Sequence, residues 1–74
     1  GLQRSVTVDG WKLILYPNVS KARLYNINAD PLEMTDLAND AGQSKRISTL
    51  FARMLKLQKK MGDKVDLEKS FPKL

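Results

Sequence analysis

The stretch SVTVDGWKLILY, residues 5–16, decides the fold of this 74-residue chain. Residues 5–8 alternate with Val6 and Val8 on one face, and in residues 11–16 Trp11, Leu13 and Leu15 share one face, which is the period of a β-strand. Asp9-Gly10 between the two runs favours a type I′ turn, because both residue types tolerate a positive φ. The stretch therefore predicts a β-hairpin.

The second strand of this hairpin is apolar on its other face as well, where Ile14 and Tyr16 lie beside Lys12. A strand that is apolar on both faces is usually covered on both sides. A chain of this length with one helix can cover only one side internally. We therefore expect the second face to be a partner surface.

A third strand and one helix complete the predicted fold. After a break at Pro17-Asn18, residues 23–27 form the third strand, and residues 28–31 a turn. Asp40 with Gln43 matches a capping box, and Ser44 is an alternative helix cap. Apolar residues then recur at helical steps until Gly62, a helix-ending residue; they are Ile47, Leu50, Phe51, Met54, Leu55 and Met61.

The predicted fold class is therefore α+β: a small antiparallel sheet with three visible strands and one long C-terminal amphipathic helix packed on it. Residues 1–62 are expected to form this unit, and residues 63–74 a charged, extended tail. The length allows a single domain, and a core of this size seldom stabilises a chain by more than about 3–5 kcal/mol. No apolar run approaches the length of a membrane span.

The residue types that are absent narrow the chemistry. Cysteine and histidine do not occur, which excludes disulfides, thiolate metal sites and the commonest general base within this sequence. Four carboxylates lie close together in the sequence and could offer oxygen ligands to Ca²⁺, but they lack the spacing of a calcium loop; they are Asp30, Glu33, Asp36 and Asp40. In the competing interpretation, these carboxylates stabilise turns and helix caps.

Other candidate residues are isolated. Ser5, Ser20 and Ser44 have no base nearby in the sequence, so a nucleophile has no support. Lys12, on a strand among apolar neighbours, could be a catalytic lysine, a solvent-directed lysine or the partner of a neighbouring domain. Asn18-Val19-Ser20 matches a glycosylation sequon. The sequence assigns no catalytic, cofactor-binding or metal-binding residue.

Positive charge is concentrated in the second half of the chain. Nine basic and three acidic residues follow Ser44, against four basic and five acidic residues up to it. Arg53, Lys56, Lys59 and Lys60 fall on the side of the helix opposite its apolar stripe, where a solvated face is the simplest interpretation. No aromatic residue interleaves with them as a base-stacking platform, so nucleic acid is not the favoured partner.

Several short motifs in order resemble the C-terminal subdomain of sulfatases, in the alkaline-phosphatase-like superfamily. Residues 11–17 match an aromatic-Lys-Leu/Ile strand, which in that family follows an arginine-containing strand, here at Arg4. Residues 24–27 match Leu-Tyr-Asp-Leu, residues 30–33 Asp-Pro-x-Glu and residues 36–38 Asn-Leu-Ala, and an amphipathic helix follows. The sequence departs from the family with Asn26, Ile27 and Asp36, where Asp, Leu and Asn are usual.

The resemblance covers about residues 4–61 and implies a non-catalytic piece of a larger enzyme. The parent enzyme would hydrolyse sulfate esters with a formylglycine from a Cys/Ser-x-Pro-x-Arg motif and a divalent metal, usually Ca²⁺. None of those residues has a counterpart here. The expected partner is the catalytic domain of the same polypeptide, and the subdomain would complete the fold, with one wall of the substrate cleft as a further role. A periplasmic or secreted location follows from the resemblance alone.

Three alternatives remain open from the sequence. A related phosphodiesterase or phosphonate hydrolase could carry the same subdomain. A stand-alone basic module could bind nucleic acid through residues 45–73, with an affinity that falls steeply with salt. A structural domain could self-associate through its exposed sheet face or edge.

Overall fold

A computed structural model describes residues 2–74 and leaves Gly1 outside. The first three elements are β1 (Arg4–Val8), β2 (Trp11–Tyr16) and β3 (Lys21–Asn26), which form one antiparallel sheet in the order β1-β2-β3. Val6 and Leu24 both lie opposite Leu13, one on each side of the central strand. The predicted three-stranded antiparallel sheet is confirmed.

The hairpin turn has the backbone that its sequence predicts. Asp9 and Gly10 have φ angles of 51° and 79°, as a type I′ turn requires. A Cβ at Gly10 would also clash with the side chain of Asn28, so glycine serves here both the turn and the close approach of the following loop. Between β2 and β3 the chain makes a 3₁₀ turn over Pro17–Val19, and β3 begins two residues earlier than predicted.

The long helix α1 spans Ser44–Met61 and ends where the sequence predicts. Gly62 adopts a left-handed conformation, and the Asp63 amide donates to the Gln58 carbonyl at 2.9 Å, which closes the helix end. The predicted capping box is wrong. Asp40 instead caps a preceding 3₁₀ turn, Ala41–Gln43, by accepting from the Gly42 amide, and Gln43 accepts from Arg46.

The core lies between the sheet and α1. It contains four of the six predicted helix residues, Ile47, Leu50, Phe51 and Met54, together with apolar residues of all three strands. Leu55 is half-buried and packs against this core. Met61, the last residue of the helix, is 80% exposed and does not join the core.

Residues 63–74 correct the sequence prediction of an extended tail. They form a short helix, α2 (Leu67–Ser70), whose first turn is capped by the Asp66 carboxylate. Leu67 and Phe71 are 1% and 6% exposed and belong to the core, where the Phe71 ring packs edge-on against Phe51. One turn of helix separates the two side chains, so both reach the same face and hold the segment against the domain.

The outer face of the sheet, on the side away from α1, also differs from expectation. Ile14 and Tyr25 lie on this face yet are only 7% and 5% exposed. Long neighbouring side chains shield them, including Arg23, whose guanidinium lies 5.7 Å from the centre of the Tyr16 ring. The premise that only one side of the sheet can be covered from within the chain is therefore wrong.

Candidate functional site

The residues that carry chemistry in the sequence fall into two regions, the acidic loop (residues 28–40) and the helix α1. In the acidic loop, Glu33 lies against the outer face of the sheet. Its carboxylate contacts the Lys12 ammonium at 3.1 and 3.3 Å, and both side chains are about one-third exposed or less. Lys12 thus pairs within its own chain, a contact that none of the three interpretations from the sequence had included.

The turn that presents Glu33 is built by Asp30. The Asp30 carboxylate accepts from the amides of Met34 and Thr35 at 3.0 and 2.9 Å, and these two bonds hold its pKa below the ordinary value. Pro31 follows Asp30, and Glu33 has a φ of 55°, a left-handed conformation that turns the chain back toward the sheet. Asp30 is therefore committed to shaping the loop.

Asp36 ties the end of the same loop to the sheet edge. Its Oδ1 atom accepts from the amide of Leu24 in β3 and from the amide of Ala38, both at 2.9 Å. The Leu37 amide in turn donates to the Leu24 carbonyl at 2.8 Å. The outer edge of β3 is thus paired with loop groups in place of another strand.

These contacts bear on the metal hypothesis. The four acidic side chains point to separate partners: backbone amides for Asp30, Asp36 and Asp40, and the Lys12 ammonium for Glu33. Within residues 2–74 no three Asp or Glu side chains converge as a metal site would need. These hydrogen bonds and the ion pair shape the loop.

The three candidate serines have no activating contact among residues 2–74. Ser44 donates to the Ala41 carbonyl at the start of α1, and Ser5 and Ser20 are exposed. No hydroxyl of these three is hydrogen-bonded to a carboxylate or a lysine in the part of the chain that the structure describes. The geometry of a nucleophile with its base is not present among them.

A second polar cluster, which the sequence did not single out, joins both ends of the domain. Arg4 of β1 contacts Asp63 at 2.6 Å, and Asp63 also accepts from the Gln58 side chain and the Val65 amide. The Arg4 guanidinium, followed by the Gln58 and Val65 hydrogen bonds, holds the pKa of Asp63 well below its ordinary value. Gln58 is buried, with an exposed fraction of 8%. The sequence offered one indication of this burial, because Gln58 lies four residues, or one helical turn, after Met54.

The cations of α1 lie on the helix face opposite the core. Lys45, Arg53, Lys56, Lys59 and Lys60 are all exposed, and we call them the basic face. Arg46 is different, because its guanidinium lies 3.9 Å from the centre of the Trp11 ring and packs over it. The two ion pairs of residues 2–74, Arg4–Asp63 and Lys12–Glu33, involve no residue of α1.

Comparison with known proteins leaves the family open, since no protein-family model and no curated protein matches this chain. Among residues 2–74, no helix has the length and apolarity needed to cross a membrane.

Proposed function

We propose that this chain is the non-catalytic C-terminal subdomain of a sulfatase, a hydrolase of sulfate esters. The observation that supports the proposal is the contact between segments that carry the resemblance. Lys12 of the aromatic-Lys-Leu strand pairs with Glu33 of the Asp-Pro-x-Glu turn, 21 residues away. Asp36 of the Asp-Leu-Ala segment caps the Leu24 amide of the Leu-Tyr-Asn-Ile strand. A motif order that reflects one folded unit is expected to have such contacts between its parts.

The departures from the family pattern are compatible with these roles. Both hydrogen bonds to Asp36 end on the same oxygen, Oδ1, so the amide oxygen of an asparagine could accept them equally well. Asn26 likewise uses only its Oδ1 atom, which accepts from the Ala29 amide at 3.2 Å, and an aspartate could do the same. The exchanged residue types preserve the acceptor that each position needs.

The partner in this proposal is the catalytic domain of the same polypeptide. Leu32 and Met34 flank Glu33 in the sequence and are 80% and 79% exposed, so the acidic loop presents two large apolar side chains to solvent. Exposed apolar surface of sufficient size often marks a contact surface. If they contact the catalytic domain, Leu32→Ser with Met34→Ser should lower the melting temperature of the complete protein more than that of the 74-residue chain.

The proposal is tested on the complete product of the reading frame that encodes this chain. The frame should contain a Cys/Ser-x-Pro-x-Arg motif, and the purified product should hydrolyse 4-methylumbelliferyl sulfate. The matched control replaces the Cys or Ser of that motif by Ala and should abolish turnover. Ca²⁺ and formylglycine would belong to that catalytic domain.

The choice of ester that the product cleaves also distinguishes a sulfatase from the related hydrolases. A product that cleaves a phosphodiester or a phosphonate ester but no sulfate ester would replace the proposal by the neighbouring phosphodiesterase or phosphonate hydrolase. A complete reading frame without the motif, whose product cleaves neither ester, would contradict the proposal altogether.

A further inference from the structure

The helix α1 has an unusual charge pattern for a solvated helix. It carries six basic residues and no acidic residue in 18 positions. Surface helices usually mix both signs, because Glu–Lys pairs one turn apart stabilise them. We propose that the basic face of α1 binds a sulfated polysaccharide. The polymer class in this inference rests on the proposed function, whereas the polyanion-binding surface rests on the charges of α1.

Part of the basic face is unfavourable for the isolated helix. Lys56 and Lys60 stand one turn apart with like charge, an arrangement that destabilises a helix. The helix dipole favours cations only in the last turn, where Lys59 and Lys60 lie. Lys45 and Arg46 lie in the first turn, where the helix dipole disfavours positive charge, and that turn contains no acidic residue. Acidic residues lie near both ends of this face (Asp9, Asp63 and Glu68), but no carboxylate of residues 2–74 forms an ion pair with its cations, so an external anion could still contact them.

The charges are arranged as a stripe that suits an extended ligand. Lys45, Arg53, Lys56 and Lys60 fall within one quarter of the helix circumference, and about 22 Å separates the first from the last along the axis. Lys45, Thr49, Arg53 and Lys56 line a shallow depression of about 470 Å³, so a hydroxyl lies among the cations. A polymer with repeated anionic groups could contact several of these cations at once.

Other anionic macromolecules fit this surface less well. Four of the five aromatic residues lie away from the basic face, in the core or on the outer face of the sheet; they are Phe51, Phe71, Tyr16 and Tyr25. The fifth, Trp11, lines a depression beside Lys45, but the Arg46 guanidinium covers one face of its ring. The basic face therefore has no series of rings on which successive bases of single-stranded nucleic acid could stack. The apolar face of α1 is buried against the sheet, so the helix cannot insert that face into a lipid surface.

The test measures binding of dextran sulfate to the complete product, with uncharged dextran as the reference polymer. Arg53→Gln, Lys56→Gln and Lys60→Gln are combined in one variant, because glutamine preserves helix propensity and removes the charge. We expect its Kd to rise about tenfold or more. The slope of log Kd against log salt concentration should fall by about 2 to 3, since each contact with a dense polyanion releases nearly one counterion.

Two control variants separate local binding from net charge. Lys21→Gln, Lys69→Gln and Lys73→Gln together remove the same charge at exposed positions outside the basic face and should change Kd by less than about threefold. Arg53→Lys, Lys56→Arg and Lys60→Arg together conserve the charge and should retain binding. If the triple glutamine variant fails to fold, the single variants Lys56→Gln and Lys60→Gln should each weaken binding by about twofold.

The outcomes distinguish this inference from the proposed function. Equal losses in the two triple glutamine variants would overturn the inference, as would duplex DNA binding as tightly as dextran sulfate with the same dependence on the basic face. The protein could hydrolyse a small sulfate ester while its affinity for dextran sulfate does not depend on the basic face. That result would support the proposed function and refute the inference. Selective binding through the basic face without any sulfate-ester hydrolysis would refute the proposed function and support the surface.

Discussion

The acidic loop and the helix α1 lie in the same small domain but use charge in opposite ways. In the loop, the carboxylates of Asp30, Asp36 and Asp40 accept backbone amides, and Glu33 pairs with Lys12. On α1, the five cations of the basic face form no ion pair among residues 2–74. Charges in the loop hold the chain in shape, whereas charges of the basic face remain available to contact another molecule.

This difference separates structural from functional candidates in a chain without a catalytic constellation. A charged group that satisfies a backbone amide is expensive to remove, because the amide then loses its partner. An exposed charge without a partner contributes little to folding. Substitutions in the loop should therefore reduce stability, and substitutions on the basic face should reduce binding.

The largest effect is expected at Asp36. Asp36→Ala removes the acceptor of the Leu24 amide, which leaves the amide of a fully buried residue without its partner. We expect a loss of about 1–3 kcal/mol in the free energy of unfolding, measured by urea unfolding of the 74-residue chain. Asp36→Asn keeps an oxygen in the same place and should come close to the parent; equal losses in the two variants would show that the negative charge, and not the acceptor, is what matters.

The next effect concerns Asp63 and its pH dependence. Because its pKa in the folded protein is lowered, Asp63 stabilises the fold fully above its unfolded pKa of about 3.9, and this contribution is lost as the pH falls from there toward the folded value. Asp63→Asn should therefore destabilise the chain at neutral pH and flatten its loss of stability in acid. Unfolding at a series of pH values, followed by the fluorescence of Trp11, measures both changes.

Asp9→Asn is the matched control for Asp63. It removes one carboxylate that has no hydrogen-bond partner among residues 2–74, in a turn where asparagine is equally suited. Its stability should follow the parent across the same pH range. A flattened acid profile in this control would assign the pH dependence to net charge and not to the Arg4–Asp63 contact.

A smaller effect is expected from the ion pair of Lys12 and Glu33. The pair is partly exposed, so a double-mutant cycle with Lys12→Gln and Glu33→Gln should give a coupling energy of about 0.2–1 kcal/mol. High salt should reduce this coupling. A coupling energy of zero in low salt would show that the Lys12–Glu33 contact between the two motif segments contributes nothing to stability. That result would weaken the support for the proposed function.

The smallest effect on folding is expected on the basic face. Arg53→Gln, Lys56→Gln and Lys60→Gln together should change the free energy of unfolding by less than about 0.5 kcal/mol, with a slight gain from reduced repulsion. The Lys21, Lys69 and Lys73 triple variant provides the reference. A loss of more than about 1 kcal/mol in the free energy of unfolding would show that the basic face stabilises the fold, as the acidic loop does.

Local patterns were sufficient to predict most of the fold. The alternation around Asp9-Gly10 predicts the hairpin because a two-residue turn and the strand period are both local, and Gly62 marks the helix end for the same reason. The tail prediction was wrong because α2 has a single turn. Leu67 and Phe71 supply only one apolar pair at helical spacing among charged neighbours, and their burial depends on Phe51, far away in the sequence.

The candidate site was less predictable than the fold. The sequence identified Lys12 and Glu33 separately, but nothing local indicates that a strand residue and a loop residue 21 positions apart come into contact. Arg4 and Asp63 are separated by 59 positions, and their contact depends on how α1 returns along β1. The lack of acidic residues in α1, by contrast, can be predicted from the sequence once the helix bounds are known, because it depends only on the composition of that segment.

The most direct test of the account is the hydrolysis of 4-methylumbelliferyl sulfate by the complete product of the reading frame. We predict turnover that disappears when the Cys or Ser of the Cys/Ser-x-Pro-x-Arg motif is replaced by Ala. Turnover of phosphate or phosphonate esters alone, or no turnover of any ester by a folded product, would contradict the assignment of this chain to a sulfatase.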